Sequence, residues 1–413
     1  MTGFELRPVA THEIDAYAAC QAAAFASRYP SERLEGLADE LQLDRTIGVF
    51  DSGGLVATSA SVLLSMTLPG LVRTEVAAVT DVSVSPTHRR RGLLTAMMRR
   101  QLDELHGNSE CLAVLYASEG GIYGRYGYAP ASFCAHYVVD KRLCRLQPTR
   151  PEWAQGAGGS VVLIERDQAT EVFPLVLAAH LPTRVGEVDR PKGEWAELLG
   201  EVTGPASGYR FYACYEQGGR IDGYAVYRVG GIDPADQWRR GVFLEELCTL
   251  SGAAYACLWQ FLLGIDLTEE LRTTGRPVDE PARFMLEDQR QWRTARWRDR
   301  TWVRLVDVKK ALQLRRYEDE GVLVIEVSDP FCPWNEARLA LSVDADGVAT
   351  VEPCRSEPDI AVEAQVLSSL YLGAVAFDTM ATVGQLQERR AGALRRADAM
   401  FAARRPPFCT THF

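Results

Sequence analysis

The segment VTDVSVSPTHRRRGLLTAMM, residues 79–98, constrains the fold more than any other part of this chain. Its β-branched run predicts a strand over Val76–Val84, which Pro86 halts because it can neither donate to a ladder nor extend one. From Gly92 the period changes: Leu94, Met98, Leu102 and Leu105 fall on one helical face, and Gly107 is placed to cap the helix end. A strand feeding a helix through a short basic turn, Arg89-Arg90-Arg91-Gly92, belongs to an α/β layer arrangement.

The flanking sequence agrees. A helix is predicted around Ile14–Phe25, and a strand pair in GVFDSGGLVATSASVLLSMTL with its turn at Ser52-Gly53-Gly54. A further strand, Cys111–Ser118, leads into Glu119-Gly120-Gly121-Ile122-Tyr123-Gly124-Arg125-Tyr126-Gly127-Tyr128, whose glycines permit close backbone approach to a ligand.

At 413 residues the chain exceeds what one core organises. Pro and Gly enrichment over Pro148–Gly159 marks a linker. Beyond it the layout repeats: Arg220–Val229 resembles the strand pair, and GVFLEELCTL followed by SGAAYACLWQFLLGIDL resembles the strand-then-helix unit. The second turn is Leu250-Ser251-Gly252, without arginines, and reads as a degenerate copy. After the Arg- and Trp-rich Asp288–Thr301, strands VLVIEV and ARLALSV, a turn at Asp346-Gly347, a further strand, and helices around Leu367–Gly373 and Val383–Phe401 predict an α+β region. The prolines of the tail Arg405–Phe413 predict an extended run. Domains are expected at 1–148, 149–297 and 298–413.

A formal charge of −10 and short, scattered arginine clusters argue against nucleic acid as a partner. No apolar run reaches a membrane span's length and no signal pattern opens the chain, so a cytoplasmic protein without membrane partners is expected. Ten cysteines without a CxxC pair and six dispersed histidines predict buried thiols and no metal site.

The opening amides of a helix lack intrahelical partners and carry partial positive charge, so a diphosphate sits there readily. Strand residues Val82, Ser83 and Val84 offer edge backbone groups to a chain of amides. Coenzyme A carries both parts, although three adjacent arginines, taken alone, more often form a solvated turn.

Residues 79–98 resemble the acetyl-CoA motif of the GCN5-related N-acetyltransferases, in which a glutamine or arginine is followed three residues later by glycine. With YASEGGIYGRYGY, the degenerate second module and a C-terminal phenylalanine, nearly the whole chain resembles the enhanced intracellular survival (Eis) acetyltransferases of actinobacteria. The resemblance implies tandem acetyltransferase folds, the second inactive, then a sterol-carrier-protein-like domain, assembled as homohexamers. It implies that Val82, Ser83, Val84, Arg90, Arg91, Gly92, Leu93, Leu94, Thr95, Ser118 and Glu119 bind acetyl-CoA. In its GGIYGR motif Tyr123 matches the proton donor, and the Phe413 carboxylate matches the base.

A phenol with pKa near about 10 can protonate a leaving thiolate. A terminal carboxyl near roughly 3.5 is a weak base, better suited to anchoring an ammonium and relaying its proton. Tyr126 and Tyr128 read as packing, and Arg125 as holding the loop. The acceptors implied are polyamine-like molecules such as aminoglycosides; protein lysines and small-metabolite amines are the alternative, and a non-catalytic lipid-binding protein a remoter one. The third domain is expected to be structural, delivering Phe413. The chain departs from the family pattern at Thr80-Asp81, where an aromatic residue is familiar, at His412, where an acid is, and at Ser27, where an aspartate can occur. Asp81 either attracts an ammonium or is a hydrogen-bonded strand residue.

Overall fold

The computed structural model describes residues 3–26, 37, 41–148, 158–200, 209–233 and 235–413; Ser27 and most of the Pro148–Gly159 segment lie outside them. The described chain divides into two compact units. One comprises residues 1–132, 188–193 and 300–413, the other 133–187 and 194–299.

The first unit opens with β1 (Glu5–Arg7), α1 (Ile14–Phe25), β2 (Thr46–Asp51), β3 (Gly54–Leu68), β4 (Val72–Val84), α2 (Leu93–Gly107), β5 (Leu112–Leu115) and β6 (Ala129–Pro130). These strands form one sheet in the order β1-β2-β3-β4-β5, then the late strand Trp302–Leu305, then β6. The α2 face predicted from its period is buried: Met98, Leu102 and Leu105 pack on Ala77 and Val79 of β4 and on Ala113 and Leu115 of β5. The cap of α2 differs from expectation. Gly107 is the last helical residue, and the reversal falls on Ser109, at φ 63°, with Glu110 N–H bonded to Leu105 O at 2.9 Å. That six-to-one bond is the Schellman closure, so the serine takes the left-handed position usually given to glycine.

The register of β4 against β5 opens a gap in the sheet. These parallel strands pair only at Ala77↔Ala113 and Ala78↔Val114, whereas β4 runs on to Val84 against β3. Beyond Ala78 the two strands therefore part, and one backbone edge of β4 faces the gap.

The second unit builds an eight-stranded sheet with the same logic. Strands Arg210–Gln217, Arg220–Asp233 and Asp236–Thr249 are antiparallel neighbours; the last pairs in parallel with Glu270–Thr273 from Gly241 to Leu244 and then runs on to Thr249 against Arg220–Asp233. Helix Gly252–Gly264 comes next in the chain. The strand Phe133–Asp140 belongs to this second sheet.

Residues 308–413 add a five-stranded sheet in the order Ala349–Pro353, Ala337–Val343, Gly321–Ser328, Ile360–Glu363, Leu386–Glu388. The long helix expected over Val383–Phe401 is not formed. Gly384 and Gly392 sit at φ 72° and 86°, so the chain makes the short strand Leu386–Glu388 before a helix limited to Ala393–Phe401. Left-handed residues cannot sit inside a right-handed helix, and glycine takes that conformation at little cost.

Candidate active site

The site lies at the gap between β4 and β5. On its β4 side the strand carries a bulge: Thr58 pairs with Ser83 and Ala60 with Thr80, leaving Asp81 at φ 53°. Carbonyl Asp81 O accepts from Gln21 Nε2 at 2.6 Å and Thr58 Oγ1 at 2.8 Å, and Tyr17 OH donates to Asp81 Oδ2 at 2.9 Å. Of the two readings of Asp81, the structure has the hydrogen-bonded strand residue, tied to α1. Ser83 is buried, its Oγ 2.8 Å from Thr58 Oγ1, while Val82 and Val84 are partly buried. These side chains anchor the strand, leaving its main chain to border the gap.

At the head of α2, Gly92 adopts φ 80°, ψ 3° and supplies no capping side chain, so the amides of Leu93, Leu94 and Thr95 begin the helix without one. Arg89 Nη2 donates to Ala24 O and Arg91 Nη2 to Thr87 O, both at 3.2 Å, which ties the loop to its surroundings. Arg90, itself at φ 64°, is exposed with Arg91. A Cβ on Gly92 would meet nothing within 4 Å, so only its backbone conformation demands glycine. Gly92→Ala is therefore expected to cost about 1–2 kcal/mol, read as a lower denaturant midpoint at unchanged slope; an unchanged midpoint would remove the strain argument.

On the β5 side, Ser118 and Glu119 are exposed and Tyr123 is buried in a 3-10 turn, Tyr123–Tyr126. Burial pushes the Tyr123 phenol up to about 12, partly offset by a hydrogen bond with the Ser118 side chain. Tyr126 OH lies 3.1 Å from Thr95 Oγ1, which joins this turn to the first turn of α2. Tyr128 is fully buried, its ring 6.1 Å from that of Tyr123, and Tyr126 is buried as well, so both pack. Arg125 Nε donates to Ile122 O at 3.0 Å, the loop-holding role expected of it.

Two of the glycines in this loop are approached by side chains of the third region. A Cβ on Gly127, at φ 84°, would overlap the Arg304 guanidinium, and one on Gly124 would crowd Gln365 Nε2. Neither contact was legible in the sequence, because the partners come from far along the chain.

The C-terminal tail is held beside Tyr116, which follows β5. Arg300 donates to the carbonyls of Cys409 at 3.1 Å, Thr410 at 3.2 Å and Thr411 at 3.5 Å. Tyr116 OH donates to Thr411 O at 2.5 Å, and the fully buried Thr411 bonds Val188 O through its hydroxyl at 3.2 Å. The rings of His412 and Phe413 lie 4.4 and 4.7 Å from that of Tyr116, two residues before Ser118. Sequence reading missed the roles of Tyr116, which opens the YASEGGIYGRYGY segment, and of Arg300.

In the second unit the corresponding gap is filled. Ser251 Oγ accepts from Ala254 N–H at 3.2 Å, so this helix start is capped from within. The buried Arg276 donates to Leu247 O at 2.8 Å, on the strand edge beyond the parallel pairing, and to Glu280 at 2.7 Å. A side chain thus engages the backbone edge that, in the first unit, β4 leaves bordering its gap.

Residues 5–131 match the model of an acetyltransferase (GNAT) domain, residues 186–305 a second such model, and residues 308–410 that of a sterol carrier protein domain. The chain is 35% identical over 344 residues to N-acetyltransferase Eis of Mycobacterium tuberculosis, spanning 82% of this chain and 81% of that one. It belongs to the Eis family. The Eis-family chain is also 38% identical over 386 residues, 91% of each, to an uncharacterised N-acetyltransferase of Streptomyces coelicolor. The crystal structure of Eis1 from Mycobacterium abscessus superposes with a TM-score of 0.85 at 32% identity, covering 99% of this chain and all of that one. Like its Eis relatives, this protein is an N-acetyltransferase: two acetyltransferase folds followed by a sterol-carrier-protein-like domain.

Among the described residues no helix is long and apolar enough to cross a membrane, and no group of three or more His, Cys, Asp or Glu side chains could hold a metal.

Proposed function

We propose that this chain transfers the acetyl group of acetyl-CoA to primary amines of polyamine-like acceptors, aminoglycosides among them, with Tyr123 as general acid and the Phe413 carboxylate as base, anchoring the acceptor ammonium and relaying its proton to water. The observation that carries this reading is the pinned tail: Tyr116, two positions before Ser118, holds Thr411 O, stacks on His412 and meets the tilted ring of Phe413, and the Ser118 side chain bonds the Tyr123 hydroxyl.

The residues fit coenzyme A. The amides of Leu93, Leu94 and Thr95, reinforced by Arg90 and Arg91, suit a diphosphate, and Gly92 leaves open space around its backbone. The edge of Val82, Ser83 and Val84 suits the pantetheine amides, with Ser118 and Glu119 at the far side of the gap. Acetyl-CoA supplies an activated thioester. Tyr123, kept protonated by burial, donates to the departing sulfur. The negative charge at Phe413 attracts a cationic acceptor and orients its nitrogen. Ten free thiols, most of them buried, suit a reducing cytoplasm, and a homohexamer follows the family's assembly.

Extending the chain by one residue past Phe413, or amidating it, tests the reading. Turnover on kanamycin, tobramycin and lysine-containing peptides is expected to fall by about 10²-fold while calorimetry returns an unchanged affinity for coenzyme A. Equal turnover would remove Phe413 from the mechanism. Turnover on peptides alone would give the protein-lysine acceptor instead.

A further inference from the structure

We infer that Gln21 is a positioning residue for the transfer: from α1 it fixes and polarises the Asp81–Val82 peptide, whose N–H then donates to the thioester oxygen as negative charge gathers there. The inference rests on the acetyl transfer proposed above and deepens it.

The side chains around this peptide form one directed chain of donors. Gln21, on α1 and only 2% exposed, donates through Nε2 to Thr58 Oγ1 and to Asp81 O, both at 2.6 Å. Thr58 has a single hydroxyl proton, and it goes to Asp81 O at 2.8 Å because a carbonyl can only accept. Ser83 Oγ, 2.8 Å from Thr58 Oγ1, is then the donor of that pair, and Cys20 Sγ, 3.6 Å from Ser83 Oγ, the donor of the next. Cys20, Gln21, Thr58 and Ser83 are all buried. Every dipole in the group ends on one carbonyl, and hydrogen bonds linked in this way strengthen one another.

The other end of that peptide borders the gap. A trans peptide carries its N–H opposite its C=O, so a carbonyl held toward Gln21 and Thr58 sends Val82 N–H the other way. The β3 register agrees. Ser85 N–H donates to Val56 O at 2.8 Å, and bonded pairs alternate along antiparallel strands, so Ser83 turns to β3 while Val82 and Val84 turn to the opposite edge. β5 pairs with that edge only as far as Ala78. Asp81, at φ 53°, holds a left-handed conformation that costs a non-glycine residue energy, and the two donors on its carbonyl offset that cost.

Charge and protons balance across the step. When the neutral amine nitrogen bonds the acyl carbon, the carbonyl π pair moves onto the thioester oxygen, where Val82 N–H meets it. A fixed donor there lowers the barrier, because that oxygen carries more charge in the transition state than in the bound thioester. The pair returns as the C–S bond breaks; the sulfur leaves with the Tyr123 proton, and a proton from the acylated nitrogen restores the phenol. Gln21 touches none of the reacting atoms and acts only through the peptide.

Gln21→Met tests this in the full-length enzyme. Methionine keeps the side-chain length without a donor, and Thr58 still serves Asp81 O, so the carbonyl is not orphaned. The kcat is expected to fall by about 10–10²-fold with the affinity for acetyl-CoA unchanged. Infrared spectra of acetyl-CoA, isotope-labelled at its thioester carbonyl and bound without acceptor, supply a signature that packing alone does not move: the carbonyl stretch is expected to lie lower on the parent than on Gln21→Met. Thr58→Val removes the other donor on the same carbonyl and is expected to shift the stretch the same way. A stretch unchanged in either variant, whatever its kcat, would overturn the role of Gln21. A parent enzyme that binds no acetyl-CoA would instead overturn the proposed function, so the two failures are distinct.

Discussion

Replacing Tyr123 by phenylalanine is expected to lower kcat on amine acceptors by about 10²–10⁴-fold while the affinity for acetyl-CoA stays unchanged. The ring itself is structural: it is buried and meets Tyr128 edge-on at 6.1 Å. Phenylalanine preserves that packing and removes only the hydroxyl, whose bond with Ser118 contributes about 1 kcal/mol. The loss should therefore fall on the chemical step. Burial raises this phenol to about 12, so it stays protonated as the pH climbs through the usual tyrosine range. Activity should not decline from its ionisation between pH 8 and 10 in the parent enzyme. Steady-state kinetics with saturating acetyl-CoA would show the effect, and a variant retaining a third of the parent kcat would dismiss Tyr123 as the acid.

Arg304→Leu is expected to cost about 3–5 kcal/mol, far more than a surface arginine. Arg304 is fully buried on the strand Trp302–Leu305 and donates to Asp329 Oδ2 at 2.7 Å. The same carboxylate accepts from Asn335 Nδ2 at 2.8 Å and from Cys332 N–H at 3.0 Å. With the guanidinium gone, a buried charge remains with neutral donors alone, and the support under Gly127 goes with it. Arg304→Leu with Asp329→Leu should recover much of the loss, because neither charge is then stranded. Chemical denaturation of the parent, single and double variants measures this. A single variant within 1 kcal/mol of the parent would show the pair to be dispensable.

The strand, basic turn and helix at 79–98 were legible because every cue there is local. Val82 to Val84 favour a strand, Pro86 ends it, and the spacing of Leu94 to Leu105 selects one helical face. Other local cues mislead where two conformations compete. Gly107 has the residue type of a helix cap but the left-handed residue is Ser109, and apolar spacing over Val383–Phe401 conceals two glycines that break the helix.

The residues that shape the site from outside were not legible. Tyr116 and Thr411 are 295 positions apart, and Arg300 reaches the tail across 109. What the amino-acid order settled alone is local structure: the β4 strand, the glycine start of α2 and the tyrosine turn. Tertiary structure alone decided that β4 and β5 part beyond Ala78, that Arg276 plugs the same gap in the second copy, and that Tyr116 and Arg300 seize the tail. Periodicity and φ preferences act between neighbours in sequence, whereas a gap, a plug and an anchor arise from which distant groups meet once the chain has closed.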